Sequence, residues 1–370
     1  MTASVDYSNK SSIISGDLPR SLSGQVRCVS DFDTGCITIF RLFNKVSKEA
    51  RHHHYLPQCY LRGFLPVGQK KPKLTVLDLK KSKVFLTGTR GVGGIRDFNR
   101  IEADGVAPDS LENSLSSFEG QAATALKKLE EQHILTDNAI FDVIIKLIAL
   151  LAIRNPKVRS NFANAKIRSI NLLMAIVTAK KEIYESSVRN AKQDGVDIDE
   201  SVPYEQVKEF FDRGEYNIVM PNESHFEAEF KGIDAILPSL FSRGWMLCVA
   251  GDNAGPFVTC DRPVILDWKH PEKIPPFYKH RPGFGLKDTI VIFPVSQNMA
   301  MIGEFDTPNL VVIADRSVVS FVNTEVIRFA RPQVYAPDLS FVFINTKGDI
   351  RPGTELLLPR KTHSSLFESK

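Results

Sequence analysis

The residues best equipped for chemistry lie in one short segment, Arg51-His-His-His-Tyr-Leu-Pro-Gln-Cys-Tyr-Leu-Arg-Gly-Phe64. Pro57 suits the first position of a helix and Gly63 its end. On such a helix Gln58 and Arg62 stand four residues apart on one face, with His54 just before it on the same side. Leu56, Tyr60, Leu61 and Phe64 then turn toward the core. The exposed trio can bind a phosphate, with Arg62 as bidentate anchor and Gln58 as orienting donor. His54 would serve as proton donor or base near neutral pH. The same trio can equally be a structural network that stitches helix to sheet. His52 and His53 read as solvated neighbours, because no Cys, His or Asp partner stands at metal-ligand spacing.

Three further charged residues stand out. Leu111, Leu115, Phe118, Ala122, Leu126 and Leu129 recur at a helical period, and Glu119 falls about 80° from the centre of that stripe. A carboxylate at such a border calls for a partner, and Arg62 or Arg154 is the natural one. Ion pairing and a catalytic carboxylate are both open readings of Glu119. Arg154, in a last helical turn, can hold phosphate or complement the helix dipole. Asp261 ends a strand before Arg262-Pro263, where it can form an Asx-type turn or act inside a cleft. The expected set is thus His54, Glu119 and Asp261 as catalytic groups, with Gln58, Arg62 and Arg154 binding substrate. No metal is expected and no cofactor is specified. Gly91-Val-Gly-Gly94 lacks the flanks of a phosphate loop and reads as a turn. Glu229-Phe-Lys231 lies in a helical segment, without the strand and aspartate that a metal nuclease needs. HExxH and GxSxG are absent.

These groups must be positioned by elements whose periods are legible. Lys73–Leu79 and Val84–Thr89 alternate apolar and polar residues around Lys80–Lys83 and read as a β-hairpin. Gln25–Phe43 reads as another, turning at Asp31–Gly35. From Lys70 to Arg100, nine basic residues stand against Asp78 and Asp97, as a solvated face or a phosphate-facing surface. Asn138–Arg154 is apolar nearly all round and belongs at the centre of a helical core. Further helices are expected at Val158–Gln193, Pro203–Arg213 and His225–Arg243, the last kinked at Pro238. Short apolar runs at Met246–Ala250, Phe257–Cys260, Thr289–Phe293, Met299–Ile302 and Leu310–Ala314 read as strands. A helix at Ser317–Arg331 follows, then strands at Gln333–Tyr335 and Phe341–Ile344. This order predicts an α+β fold with a predominantly helical core, an N-terminal β-hairpin and a small C-terminal β-sheet. Residues 1–50 read as an extension with a mobile start, 51–347 as a single domain and 348–370 as a C-terminal tail, loose from Pro359 onward.

Composition narrows the class. Of the 370 residues 43% are hydrophobic and 24% charged, and the net charge is +4, which suits a globular protein and is less basic than dedicated nucleic-acid modules. Cys28, Cys36, Cys59, Cys248 and Cys260 form no CxxC pair and fit reduced thiols. The longest apolar stretch, Ala139–Ile153, contains Asp142 and Lys146 and is shorter than the about 20 residues a membrane span needs. With no leader pattern at the start, the expectation is a cytoplasmic protein without membrane contact. Its oligomeric state is left open.

The segment His54-Tyr-Leu-Pro-Gln-Cys-Tyr-Leu-Arg-Gly-Phe64 closely resembles the His-Tyr-x-Pro-Gln-x-Tyr-Leu-Arg-x-Phe signature of the bacterial family catalogued as domain of unknown function 4238. Phe118-Glu119-Gly120, Arg154-Asn155-Pro156, Thr259-Cys260-Asp261-Arg262-Pro263 and Phe293-Pro294-Val295-Ser296 resemble later landmarks of that family. Cys260 stands where it usually has Ser and Arg262 where it has Asn, which argues against a nucleophile there. The resemblance implies a bacterial, single-domain protein with a place in defence or toxin-like systems, and it supplies no reaction. The functional expectation is a phosphodiester-acting enzyme, a nuclease or toxin-like activity, with RNA or DNA as partner. The alternative is a non-enzymatic protein that binds nucleic acid or another partner, or a sensor.

Overall fold

The structure, a computed structural model, describes residues 25–31, 36–40, 52–101, 110–198, 201–214, 216–278 and 282–357. The expected mobile start, the inner residues of the Asp31–Gly35 turn and the tail from Pro359 lie outside the described residues. The helices are α1 Gln58–Arg62, α2 Ser110–Gln132, α3 Asn138–Ile153, α4 Pro156–Val177, α5 Lys181–Gln193, α6 Tyr204–Arg213, α7 Asn222–Phe241 and α8 Arg316–Phe329. The first strands are β1 Gln25–Asp31, β2 Cys36–Phe40, β3 His52–His54, β4 Leu74–Asp78, β5 Lys83–Thr87, β6 Gly94–Arg96 and β7 Asn217–Val219. In the C-terminal third come β8 Gly244–Ala250, β9 Thr259–Cys260, β10 Ile265–Trp268, β11 Thr289–Ser296, β12 Met299–Glu304, β13 Leu310–Ala314, β14 Gln333–Ala336, β15 Val342–Ile344 and β16 Ile350–Pro352. The fold is mixed, with helices and several sheets.

The described residues fall into two compact units: those within 1–43 and 169–219, and those within 44–168 and 220–370. In the first, β1 pairs antiparallel with β2 and parallel with β7. Tyr204 Oη donates to the Thr178 carbonyl at 2.8 Å, and Tyr216 Oη donates to Asn171 Oδ1 at 2.9 Å. The single helix expected at Val158–Gln193 is instead two, because the chain leaves helical geometry at Lys180 (φ −140°, ψ 143°) before α5 starts.

The second unit is organised by a sheet of order β10-β11-β12-β8-β13, antiparallel except for the β8–β13 pair. Strand side chains alternate between faces, and both faces here are buried. Leu247, Val249, Val291, Phe293, Met299 and Met301 pack on the side that holds α1, α2 and α3. Cys248, Ile265, Ile292, Ala300 and Ala314 pack on the other, with Val319, Val322 and Val326 of α8. Near-continuous apolar runs such as Met299–Ile302 follow from this burial on two sides. A second sheet has the order β5-β4-β14-β9; β4 pairs antiparallel with β5 and with β14. Helix α3 supplies nine buried residues, including Ile144, Ile148 and Leu151. It is capped by Asp137, whose carboxylate accepts from the amides of Ala139 and Ile140.

Candidate active site

Helix α1 is short, so packing rather than propensity must hold it. Tyr60, Leu61 and Phe64 are fully buried, and the Tyr60 ring stacks on Phe293 at 5.3 Å. Tyr60 Oη donates to the Pro294 carbonyl at 2.8 Å and shares a 2.6 Å bond with Thr259 Oγ1. Pro57 sits one position before the helix, with φ −55° and ψ 136°. Gly63 ends it in a right-handed conformation, so the left-handed freedom of glycine is not used. Space is the reason for glycine there: a Cβ would lie 3.1 Å from Ser296 Cβ, and the Gly63 carbonyl accepts from Gln297 N at 2.9 Å.

The three histidines form strand β3, which pairs antiparallel with β6. Alternation therefore sends His52 and His54 to one side, their rings edge to face at 5.2 Å, and His53 to the other. The expectation of a solvated His53 is overturned. It is 5% exposed, and its Nδ1 accepts the Asn99 amide at 2.9 Å. That strand pairing is nonlocal, so helix-based spacing could not reveal it.

Asn99 links several elements. Its side chain donates to Glu112 Oε2 at 2.5 Å and accepts from Arg154 Nη2 at 2.5 Å. The turn that carries it is held by Asn222, whose amide donates to the carbonyls of Asp97 and Arg100. Arg154 follows α3 as its C-cap and is 3% exposed. Its Nε lies 3.5 Å from Glu229 Oε2. Glu229, on α7 and 1% exposed, also takes Arg159 Nε and Nη2, each at 2.7 Å. Arg159 in turn donates to the Phe98 carbonyl at 2.6 Å and lies over the Phe98 ring at 3.5 Å. Glu229-Phe-Lys231 is thus half ion-pair floor and half surface, since Lys231 pairs with Glu227 at 2.7 Å.

Above this floor stands a more open rim. Glu119 is half-buried on α2 and feels both arginines that were expected as its partners. Burial and the nearby Glu112 carboxylate push its pKa up, while Arg154 and Arg62 pull against them. His54 is pushed the opposite way, below 6.5, by burial and then by His52. The Arg90 backbone and the Glu112 charge partly offset this. His54 Nε2 is buried and has no hydrogen-bond partner. Gln58 Oε1 accepts from Thr89 Oγ1 at 3.4 Å, and Arg62 and Arg90 are exposed. Cys59 faces the same group; burial and Glu119 raise its thiol pKa to about 11. A cavity of about 520 Å³ lies against α1, lined by Cys59, Arg62, Leu126 and Gln297 among others.

The Glu112 charge acts on His54, Glu119 and Arg154 alike, with Gln58 and Arg62 on α1; among the described residues no hydrogen bond or ion pair joins His54 to Glu119. Asp261 is placed elsewhere. It is 6% exposed, and its Oδ1 accepts the amides of Arg331 at 2.6 Å and Gln333 at 3.4 Å. Cys260 beside it is fully buried, and its thiol donates to the Arg262 carbonyl. Glu112, Asn99, Arg90 and Arg159 were missed from sequence. Glu112 alone gave a local signal, seven residues before Glu119 and so on the same face of α2. Among the described residues, no group of three or more His, Cys, Asp or Glu side chains is arranged to hold a metal ion, and no helix is long and apolar enough to cross a membrane.

No curated protein and no solved structure matches this chain. A family model does match, over residues 52–340, a span that takes in β3, α1, Asn99, Glu112, Glu119, Arg154 and Glu229. The chain therefore belongs to the family described as protein of unknown function DUF4238.

Proposed function

We propose that this protein cleaves phosphodiester bonds in nucleic acid, with His54 as general base and Glu119 as general acid. One observation carries the reading: His54 and Glu119 are both half-buried within reach of the same carboxylate, Glu112, and burial pushes the pKa of His54 down and that of Glu119 up. Both shifts favour the forms the roles require, a neutral imidazole for the base and a protonated carboxyl for the acid. His54, whose Nε2 is buried in the free protein and would have to be reached by the substrate, would take the proton of the attacking hydroxyl or water, and Glu119 would give its proton to the leaving oxygen. Arg62 and Arg90, both exposed, would hold the phosphate oxygens, with Gln58 orienting the chain. Arg154 is tied to Asn99 and Glu229, so its part is to set the charge beside Glu119 from below. Asp261 is left out, because its carboxylate serves two backbone amides.

The test is incubation of purified protein with end-labelled single-stranded RNA and DNA, beside His54→Ala and Glu119→Gln. Wild type is expected to cleave at least one of them, and each variant to lose 10²-fold or more, the usual contribution of one general acid or base. Intact substrates with wild type would refute the reading. A toxin-like or defence role would follow from such cleavage: expression in bacterial cells is then expected to slow growth, with relief by His54→Ala.

A further inference from the structure

Strand β5 is the outer strand of the β5-β4-β14-β9 sheet. Its neighbour β4 is buried along its whole length, yet β5 is exposed on both faces, with Val84 46%, Phe85 41% and Leu86 61% exposed. Three consecutive apolar residues beside unpaired backbone groups are what a further strand would cover. The charges around this edge are one-sided. Lys80, Lys81 and Lys83 cluster where β5 begins, and Lys70, Lys71 and Lys73 precede Leu74, which lies opposite Thr87 at its other end. All six lysines are exposed, and none has an ion-pair partner among the described residues. The one carboxylate of this stretch, Asp78, is 3% exposed and already accepts the Lys81 amide at 2.8 Å.

We infer that β5 is a docking edge for an extended, acidic segment of a partner protein, which adds to the sheet as a fifth strand. Backbone pairing would supply affinity, Val84, Phe85 and Leu86 would pack against alternate apolar side chains, and the lysines at both ends would take flanking carboxylates. A second copy of this chain is a poor occupant, since pairing β5 with β5 sets six lysines against six. Nucleic acid is also a poorer fit: it satisfies the lysines but leaves the strand's backbone groups unpaired, and Phe85 is the one ring in β5 on which a base could stack.

The experiment is selection of ten-residue peptides from a random display library on the intact protein, with fluorescence anisotropy on the peptides recovered. Recovered peptides are expected to carry Asp or Glu flanking an alternating apolar centre. Their affinity should fall at least tenfold in Lys80→Glu/Lys81→Glu/Lys83→Glu, and at least tenfold when alternate peptide amides are N-methylated. Recovery of peptides without acidic enrichment would overturn the inference. So would affinity indifferent to N-methylation, or single-stranded RNA or DNA that binds this edge with the same lysine dependence while the library yields nothing. The substituted lysines lie on an exposed edge, and an unchanged melting temperature shows that the variant is folded.

Discussion

Replacing Glu229 with Gln keeps the side chain's size and removes one buried negative charge. Glu229 is 1% exposed, receives Arg159 through two nitrogens at 2.7 Å, and has Arg154 Nε at 3.5 Å. The hydrogen bonds of Arg154 to Asn99 and of Arg159 to Phe98 remain, but neither neutral partner balances a charge. Two charges 4 Å apart interact by about 4 kcal/mol at an effective dielectric of about 20. Breaking a buried pair by removing one member costs about 3–5 kcal/mol. At roughly 2–4 °C per kcal/mol for a sizeable domain, the melting temperature should fall by roughly 6–20 °C. Calorimetry of wild type and Glu229→Gln measures the drop. The combined variant Glu229→Leu, Arg154→Met and Arg159→Leu, which removes all three charges, should recover much of the loss. A drop of under about 2 °C would refute the view that this carboxylate is held for structure. Loss of activity at unchanged stability would instead place it in the chemistry.

Other outcomes can be checked with less effort. The imidazole of His54, followed by NMR, should titrate below 6.5, and Glu112→Gln should lower it further, because Glu112 pulls that pKa up. Asp261→Ala leaves the amides of Arg331 and Gln333 without their acceptor and should cost about 1–3 kcal/mol in urea unfolding, with cleavage chemistry preserved in the folded fraction. Mapping of iodoacetamide adducts by mass spectrometry should find Cys59 modified slowly. Cys248 and Cys260, both fully buried, should be untouched until the protein unfolds. Tyr60→Phe removes the hydroxyl from Thr259 and from the Pro294 carbonyl, and should cost about 1–2 kcal/mol without altering the pH dependence of activity.

What was legible from the residues follows the range of the forces involved. The α2 stripe, the buried α3 and the burial of Leu56, Tyr60, Leu61 and Phe64 rest on local period, and the structure keeps them. Glu119 was expected to pair with Arg62 or Arg154; both pull its pKa down, but among the described residues neither forms an ion pair with it. His53 was misread because its burial depends on pairing with β6, some forty residues on. The contacts of Asn99 with His53 and of Glu229 with Arg159 and Arg154 were invisible for the same reason, since the partners lie 46, 70 and 75 residues apart. Asp261 had two open readings, a local Asx-type turn and a role inside a cleft; its carboxylate instead accepts the amides of Arg331 and Gln333, 70 and 72 residues further on. Strand β10 was missed because Asp267 interrupts its apolar run, although its register with β11 is regular.

The pH dependence of kcat/KM for cleavage of single-stranded RNA or DNA tests the acid–base pairing of His54 and Glu119 most directly. A base must be unprotonated, so the rate should rise with pH through the pKa of His54, which lies below 6.5. An acid must be protonated, so the rate should fall as pH passes the pKa of Glu119, which lies above 4.5. The account predicts a bell whose two limbs belong to these two groups. The rising limb should vanish in His54→Ala and the falling limb in Glu119→Gln. A profile that both variants leave unchanged, or no cleavage at any pH, would contradict it.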